Sequence, residues 1–236
     1  MSLLLAYHGK PELKARVLAK IAAHRLADEI AKGAYVCTNG TTTYCAVGCL
    51  LEDPDGGHER YEAEFGIPAQ LAWLEDGIFE SLPDGMAIPW PERFMGAIPV
   101  GADLALVWPQ FAVWLMVDEE WGAVNTTGLE DVKAICRHVA DGYARDVEVN
   151  PLSDNDAEAL KRDAWDARAA RAAWAAWDAR AARAARAAWA ARDAWAAWAA
   201  RAAWAARDAW AASDASDAFN KASADRLIEL LERAAS

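Results

Sequence analysis

Apolar residues recur at helical spacing through the first half of the chain, and Pro and Gly punctuate the pattern. Pro11 stands at a first helical position and Gly33 lies past an end, so a helix is expected over 11–32, with Leu13, Val17, Ile21 and Ile30 as its apolar stripe. Residues 34–44 carry Asn39-Gly40 at a tip and read as a turn between two very short strands. Residues 45–51 read as a short helix stopped by Asp53-Pro54-Asp55-Gly56-Gly57, and 58–64 as another helical turn. Pro68 opens a helix to about Ser81, with Leu71, Leu74, Ile78 and Phe79 inward, and Pro91 opens a short one to about Met95. Gly101-Ala102-Asp103 begins an apolar helix interrupted near Pro109 and ending near Val117. Asn125, Thr126 or Thr127 caps a further helix to about Arg145. Pro151 and the polar run Ser153-Asp154-Asn155-Asp156 form a hinge. The expected protein is all-α: a compact acidic helical domain over 1–150 with at most a small β-hairpin, then a long Ala/Trp/Arg-rich helical tail over 151–236.

Beyond the hinge the period changes to three. From Arg162 to Phe219 a large or polar residue falls on every third place, and the places between are Ala-Ala or Asp-Ala. Eight of the third places are Trp: Trp165, Trp174, Trp177, Trp189, Trp195, Trp198, Trp204 and Trp210. Ala and Arg are strong helix formers, and neither Gly nor Pro occurs after Pro151. One unbroken helix from about Asp156 to Arg233 would run roughly 115 Å. On an α-helix a step of three turns about 300°, so the bulky row winds round the axis. There is no single apolar stripe and no heptad. Indoles radiating in several directions make a sticky rod. Burying each is worth roughly 2–3 kcal/mol. The tail is therefore expected to form a multi-helix bundle, either by folding back or by several chains meeting. Homo-oligomerisation through the eight Trp is the leading expectation. Two other origins fit the same period. A 3₁₀-helix would align the bulky residues on one ridge, though long runs of it are uncommon. Trp and Arg codons differ by one base, as do Ala and Asp codons, so an expanded nine-base unit that drifted also yields the pattern.

Charge divides the chain. Residues 1–160 hold 11 Lys+Arg against 26 Asp+Glu, whereas 161–236 hold 13 against 10. An acidic body opposes direct binding to phosphates, and an acidic body with a weakly basic tail favours contact between copies. No stretch of about 20 apolar residues exists, so no membrane span is expected. The apolar run at the start is short and follows no basic region, unlike a signal peptide. Four Cys in such a chain are expected to be reduced, which places it in a cytoplasm.

Several segments in order carry a resemblance: Cys45-Ala46-Val47-Gly48-Cys49, 61–68 (YEAEFGIP), Leu74-Glu75-Asp76-Gly77-Ile78-Phe79-Glu80, Trp90-Pro91-Glu92-Arg93-Phe94 and 97–104 (AIPVGADL). Over roughly residues 5–120 the chain resembles a family of uncharacterised phage and prophage proteins, whose members carry an Ala-rich tail. The resemblance implies a viral or prophage origin and no activity; the cytoplasm of a bacterial host and a host protein as partner are expectations of reading the chain as an interaction protein.

Candidate chemistry is sparse. Cys45 and Cys49 share a helix face; with Cys37 and His58 they would make four zinc ligands, but the spacing is not that of strong zinc motifs. Packed core Cys around Gly48 is the plainer expectation, with no metal and no cofactor. Cys45 at a helix N-terminus, with His8, His24 or His58 as base, would be a nucleophile. His138 beside Cys136 is expected on a helix flank. Glu62 with Glu64, and Glu75 with Asp76, read as solvated faces. Trp and Arg planes, with Arg180, Arg183, Arg186 and Arg201 as clamps, would suit a nucleotide or single strand. The leading expectation is a non-enzymatic phage-type interaction protein that self-associates and binds or inhibits a host component. A Cys/His-centred enzyme or zinc protein on Cys45, Cys49 and His58, and a nucleotide- or strand-binding sponge, stand as alternatives.

Overall fold

The computed structural model describes residues 4–33, 36–37, 42–52, 57–126, 130–147 and 214–234. The fold is all-α, with one two-stranded antiparallel hairpin among the described residues. The eight Trp and four Arg singled out in the triplet segment lie outside the described residues. Two compact units divide the chain, Met1–Ala105 with Asn220–Ser236, and Leu106–Phe219. That division does not follow the charge boundary near residue 150.

In the first unit, α1 (Pro11–Leu26) starts on Pro11 and buries Val17, Ile21 and His24 along one face. It ends six residues earlier than the expected position 32. Asp28 takes a left-handed turn (φ 57°) without glycine, and Ile30 then bridges Tyr44 in extended form. Strands β1 (Val36–Cys37) and β2 (Thr43–Tyr44) pair with Val36 opposite Tyr44. The chain is buried throughout 45–51, and α2 (Gly48–Leu51) closes on Glu52 in left-handed conformation. Next, α3 (Arg60–Phe65) ends at Gly66, whose amide bonds Glu62 O while Ile67 N bonds Tyr61 O. Gly66 has φ 66°, and a Cβ there would run into the Leu5 carbonyl. Pro68 precedes α4 (Ala69–Ser81), which is buried on nearly every side. Short α5 (Asp84–Ala87) leads to α6 (Trp90–Ala97), and α1 packs on both α6 and α2.

The N-terminal segment has no counterpart in the sequence pattern. Tyr7 and His8 adopt φ 54° and 50°, both left-handed. Tyr7 is fully buried and donates its hydroxyl to Met95 O at 2.6 Å. Lys14 Nζ donates to Gly96 O and Ile98 O at 2.7 Å each, satisfying carbonyls at the end of α6.

In the second unit, α7 (Val107–Val117) begins later than the Gly101 start expected from sequence. Pro109 is its third residue and does not interrupt it, because first-turn N–H groups have no intrahelical partner to lose. A 3₁₀ turn (Ala123–Thr126) precedes α8 (Glu130–Val147), which packs along α7. Cys136, Val139, Ala140 and Tyr143 form its buried stripe, with Tyr143 edge-on to Trp108.

The last helix, α9 (Asp214–Arg233), shows a 3.6-residue stripe, Ala224, Leu227, Ile228 and Leu231, where the triplet rule has stopped. Within the first unit Asn220 Nδ2 donates to Ser81 O at 2.8 Å, and Arg93 pairs with Asp225 at 2.7 Å. Within the second unit Phe219 stacks on Trp114 at 6.1 Å and meets Trp121 at 6.2 Å. No helix among the described residues is long and apolar enough to cross a membrane.

Candidate functional site

The first unit encloses a buried polar cluster centred on α4. Glu75 and Asp76 are 0% and 5% exposed. This corrects the expectation of a solvated face. Ala69, Leu71, Ala72, Leu74, Ile78 and Phe79 are buried on the other sides of α4, and only Gln70, Trp73, Glu80 and Ser81 are part-exposed. Glu62 and Glu64, by contrast, are exposed on α3, and Glu62 accepts from Ala69 N at the start of α4.

The cluster draws its members from α3, α4, the turn into α2 and the residues before α3. Tyr61, buried on α3, donates its hydroxyl to Glu75 Oε2 at 2.8 Å. Glu75 Oε1 is buried with no hydrogen-bond partner among the described residues. Burial pushes the Glu75 carboxyl well above the usual range; the Tyr61 bond opposes the rise and the Asp76 charge adds to it. Trp90 Nε1 donates to the Glu75 carbonyl at 2.9 Å and so ties α6 to α4.

Cys45 and Cys49 stand at the turn into α2. Gly48 N donates to Cys45 Sγ at 3.4 Å, and Cys49 Sγ donates to Ala46 O at 3.0 Å. Burial pushes the Cys45 thiol far up, and the neighbouring, hydrogen-bonded Asp76 carboxylate adds to the shift. Burial, then Glu75, then Cys45 push the Cys49 thiol up, with Lys20 working against them. Asp76 Oδ2 in turn lies 3.3 Å from His58 Nε2, and the His58 ring stacks on Trp73 at 3.5 Å.

The structure thus brings Cys45 and His58 together, but in the order thiol, carboxylate, imidazole. The carboxylate stands between the thiol and its would-be base. A nucleophilic Cys needs a depressed pKa and access; Cys45 and Cys49 have raised pKa values and are buried. The remaining imidazoles are engaged elsewhere. His8 is exposed and bonds Ala63 O at 3.0 Å, while His24 sits between Glu29 and Glu52. His138 lies exposed on α8, and burial pushes the neighbouring Cys136 thiol up to about 11. The Cys37 side chain lies outside the described residues. Among those described, no group of three or more His, Cys, Asp or Glu is arranged to hold a metal ion.

Sequence reasoning named Glu75 and Asp76 as an acid pair but read them as a solvated face, and it gave Tyr61 no role in a site. The available signal was the apolar run of α4 between Pro68 and Pro83. A short helix apolar all round is a buried helix, and its acids are buried with it. Comparison with protein-family models, with curated proteins and with solved structures finds no match for this chain.

Proposed function

We propose that this is a non-enzymatic interaction protein of phage type, which associates with copies of itself through the indoles of residues 165–210 and acts by binding, and so inhibiting, a component of a bacterial host. The observation that carries the association is Phe219, the last bulky member of the triplet series. It is 4% exposed and lies against the rings of Trp114 and Trp121. This one bulky member is satisfied by aromatic burial, and eight indoles of the same series would call for the same. The acid–thiol cluster supports the non-enzymatic part, because its thiols are held protonated and enclosed.

The test is sedimentation velocity of the full chain against a variant with Trp195, Trp198, Trp204 and Trp210 changed to Ala. Ala keeps helix propensity while removing the indoles. Association in the parent that weakens in the variant supports the reading; equal masses refute it. Truncation after residue 150 is the poorer experiment, because residues 220–236 belong with the first unit.

A second reading, a Cys/His-centred enzyme, is favoured by the line Cys45–Asp76–His58. It requires an accessible thiolate, and thiol titration of the folded chain decides it.

A further inference from the structure

We propose that His24 is a proton-operated clamp that ties α1 to the turn after it and to the end of α2, and that it controls how firmly the Cys45–Glu52 segment is closed over the buried cluster. Both ring nitrogens face carboxylates. Nδ1 lies 2.7 Å from Glu29 Oε2, and Nε2 lies 2.9 Å from Glu52 Oε1. A carboxylate only accepts, so each nitrogen must donate, and the ring must hold two protons to make both bonds. A neutral ring has one N–H; its other nitrogen then turns a lone pair toward a carboxylate at hydrogen-bond distance. The arrangement therefore has two states, closed with two protons and strained with one.

The neighbouring groups set what the clamp holds. On α1, Lys20 Nζ donates to Leu50 O at 2.7 Å and pairs with Glu52 at 3.0 Å. Burial opposes ionisation of Glu52, yet the hydrogen bonds from Lys20 and His24 keep its carboxyl below the usual range. Glu52 sits in a left-handed backbone conformation (φ 49°) that a non-glycine residue adopts only at a cost. From the turn after α1, Glu29 holds the other nitrogen, its amide bonds His24 O and its carbonyl accepts from Tyr44 N, while Asp28 is exposed. From β2, the Tyr44 ring meets the imidazole edge-on at 4.8 Å. From α6, Glu92 is taken by Arg25 at 3.0 Å. Two cations, Lys20 and protonated His24, thus grip one carboxylate at the end of the segment that carries Cys45 and Cys49. Loss of one ring proton leaves either Glu29 or Glu52 facing a lone pair, and where it is Glu52, Lys20 holds that carboxylate alone.

The test uses the full chain. With only four His in the sequence, ¹⁵N-imidazole labelling and a His24→Gln control assign the ring. Both His24 nitrogens are expected to carry protons in the clamped state, and the labelled ring reads directly whether one is lost over a range of rising pH. Backbone hydrogen exchange of 45–52, corrected for its intrinsic pH dependence, should quicken across the same range in the parent and keep one rate in His24→Gln. Glu52→Gln, which also removes the Lys20 pair, should lose the pH response as well. A His24 ring with one nitrogen unprotonated throughout, or the same pH response in parent and variants, overturns the proposal.

Discussion

Replacing Glu75 by Gln probes the buried cluster at its centre. The parent side chain has no exposure, one oxygen bonded to Tyr61 at 2.8 Å and one oxygen without a partner. Burial holds its carboxyl well above the usual range. In the unfolded chain a Glu ionises near pH 4.3, roughly. The folded chain keeps a proton that the unfolded chain has lost, so stability is greatest below the unfolded value and falls as pH rises toward the folded one. The slope is about 1.4 kcal/mol per pH unit. Gln has nearly the same shape, accepts the same Tyr61 bond and does not titrate. Its amide stands where Oε1 has no partner, which costs about 1 kcal/mol at every pH. The variant should thus be slightly the less stable near pH 4 and gain about 1.4 kcal/mol per pH unit on the parent. As pH rises further the variant should overtake the parent, until the parent's buried carboxyl itself ionises. Urea unfolding of both proteins across this range, followed by far-UV circular dichroism, measures the difference. A difference that does not change with pH, or a parent that remains the more stable at neutral pH, refutes the buried acid.

Other expectations follow from the same geometry. Cys45, Cys49 and Cys136 should resist Ellman's reagent in the folded chain and react on unfolding, since burial raises all three thiols; rapid native labelling of Cys45 would restore the nucleophile reading. Phe219→Ala should lower stability by about 3 kcal/mol through loss of a buried ring, and should shift tryptophan fluorescence by exposing Trp114 and Trp121. A variant with unchanged stability and spectrum would mean that the aromatic stack does not form.

Much of the body was legible because Pro and Gly punctuate it. Pro11, Pro68 and Pro91 sit where helices begin. The misread places share a cause, long-range contact overriding local signals. Asp28 ends α1 in a conformation usually left to Gly, and the next residues join Tyr44. Asp103 bridges Leu5 instead of starting a helix, so α7 waits until Val107. The left-handed Tyr7-His8 turn depends on the Gly101 amide bonding Ala6 O and on Met95 receiving the Tyr7 hydroxyl. Within the cluster, Cys45, Cys49 and His58 were named from residue type. Their partners Tyr61, Glu75 and Asp76 needed the third dimension, because acids beside each other in sequence carry no mark of which way a helix turns. The last helix was expected to end near Arg233, but only its contacts with Ser81 and Arg93 reveal that from Asn220 on it belongs with the first unit.

Mass in solution tests the central claim most directly. Light scattering on the full chain over a wide dilution series should return a multiple of 25.6 kDa that falls on dilution or on removal of the repeat tryptophans. A mass of 25.6 kDa at every concentration, with the indoles of 165–210 open to a water-soluble quencher, would contradict it.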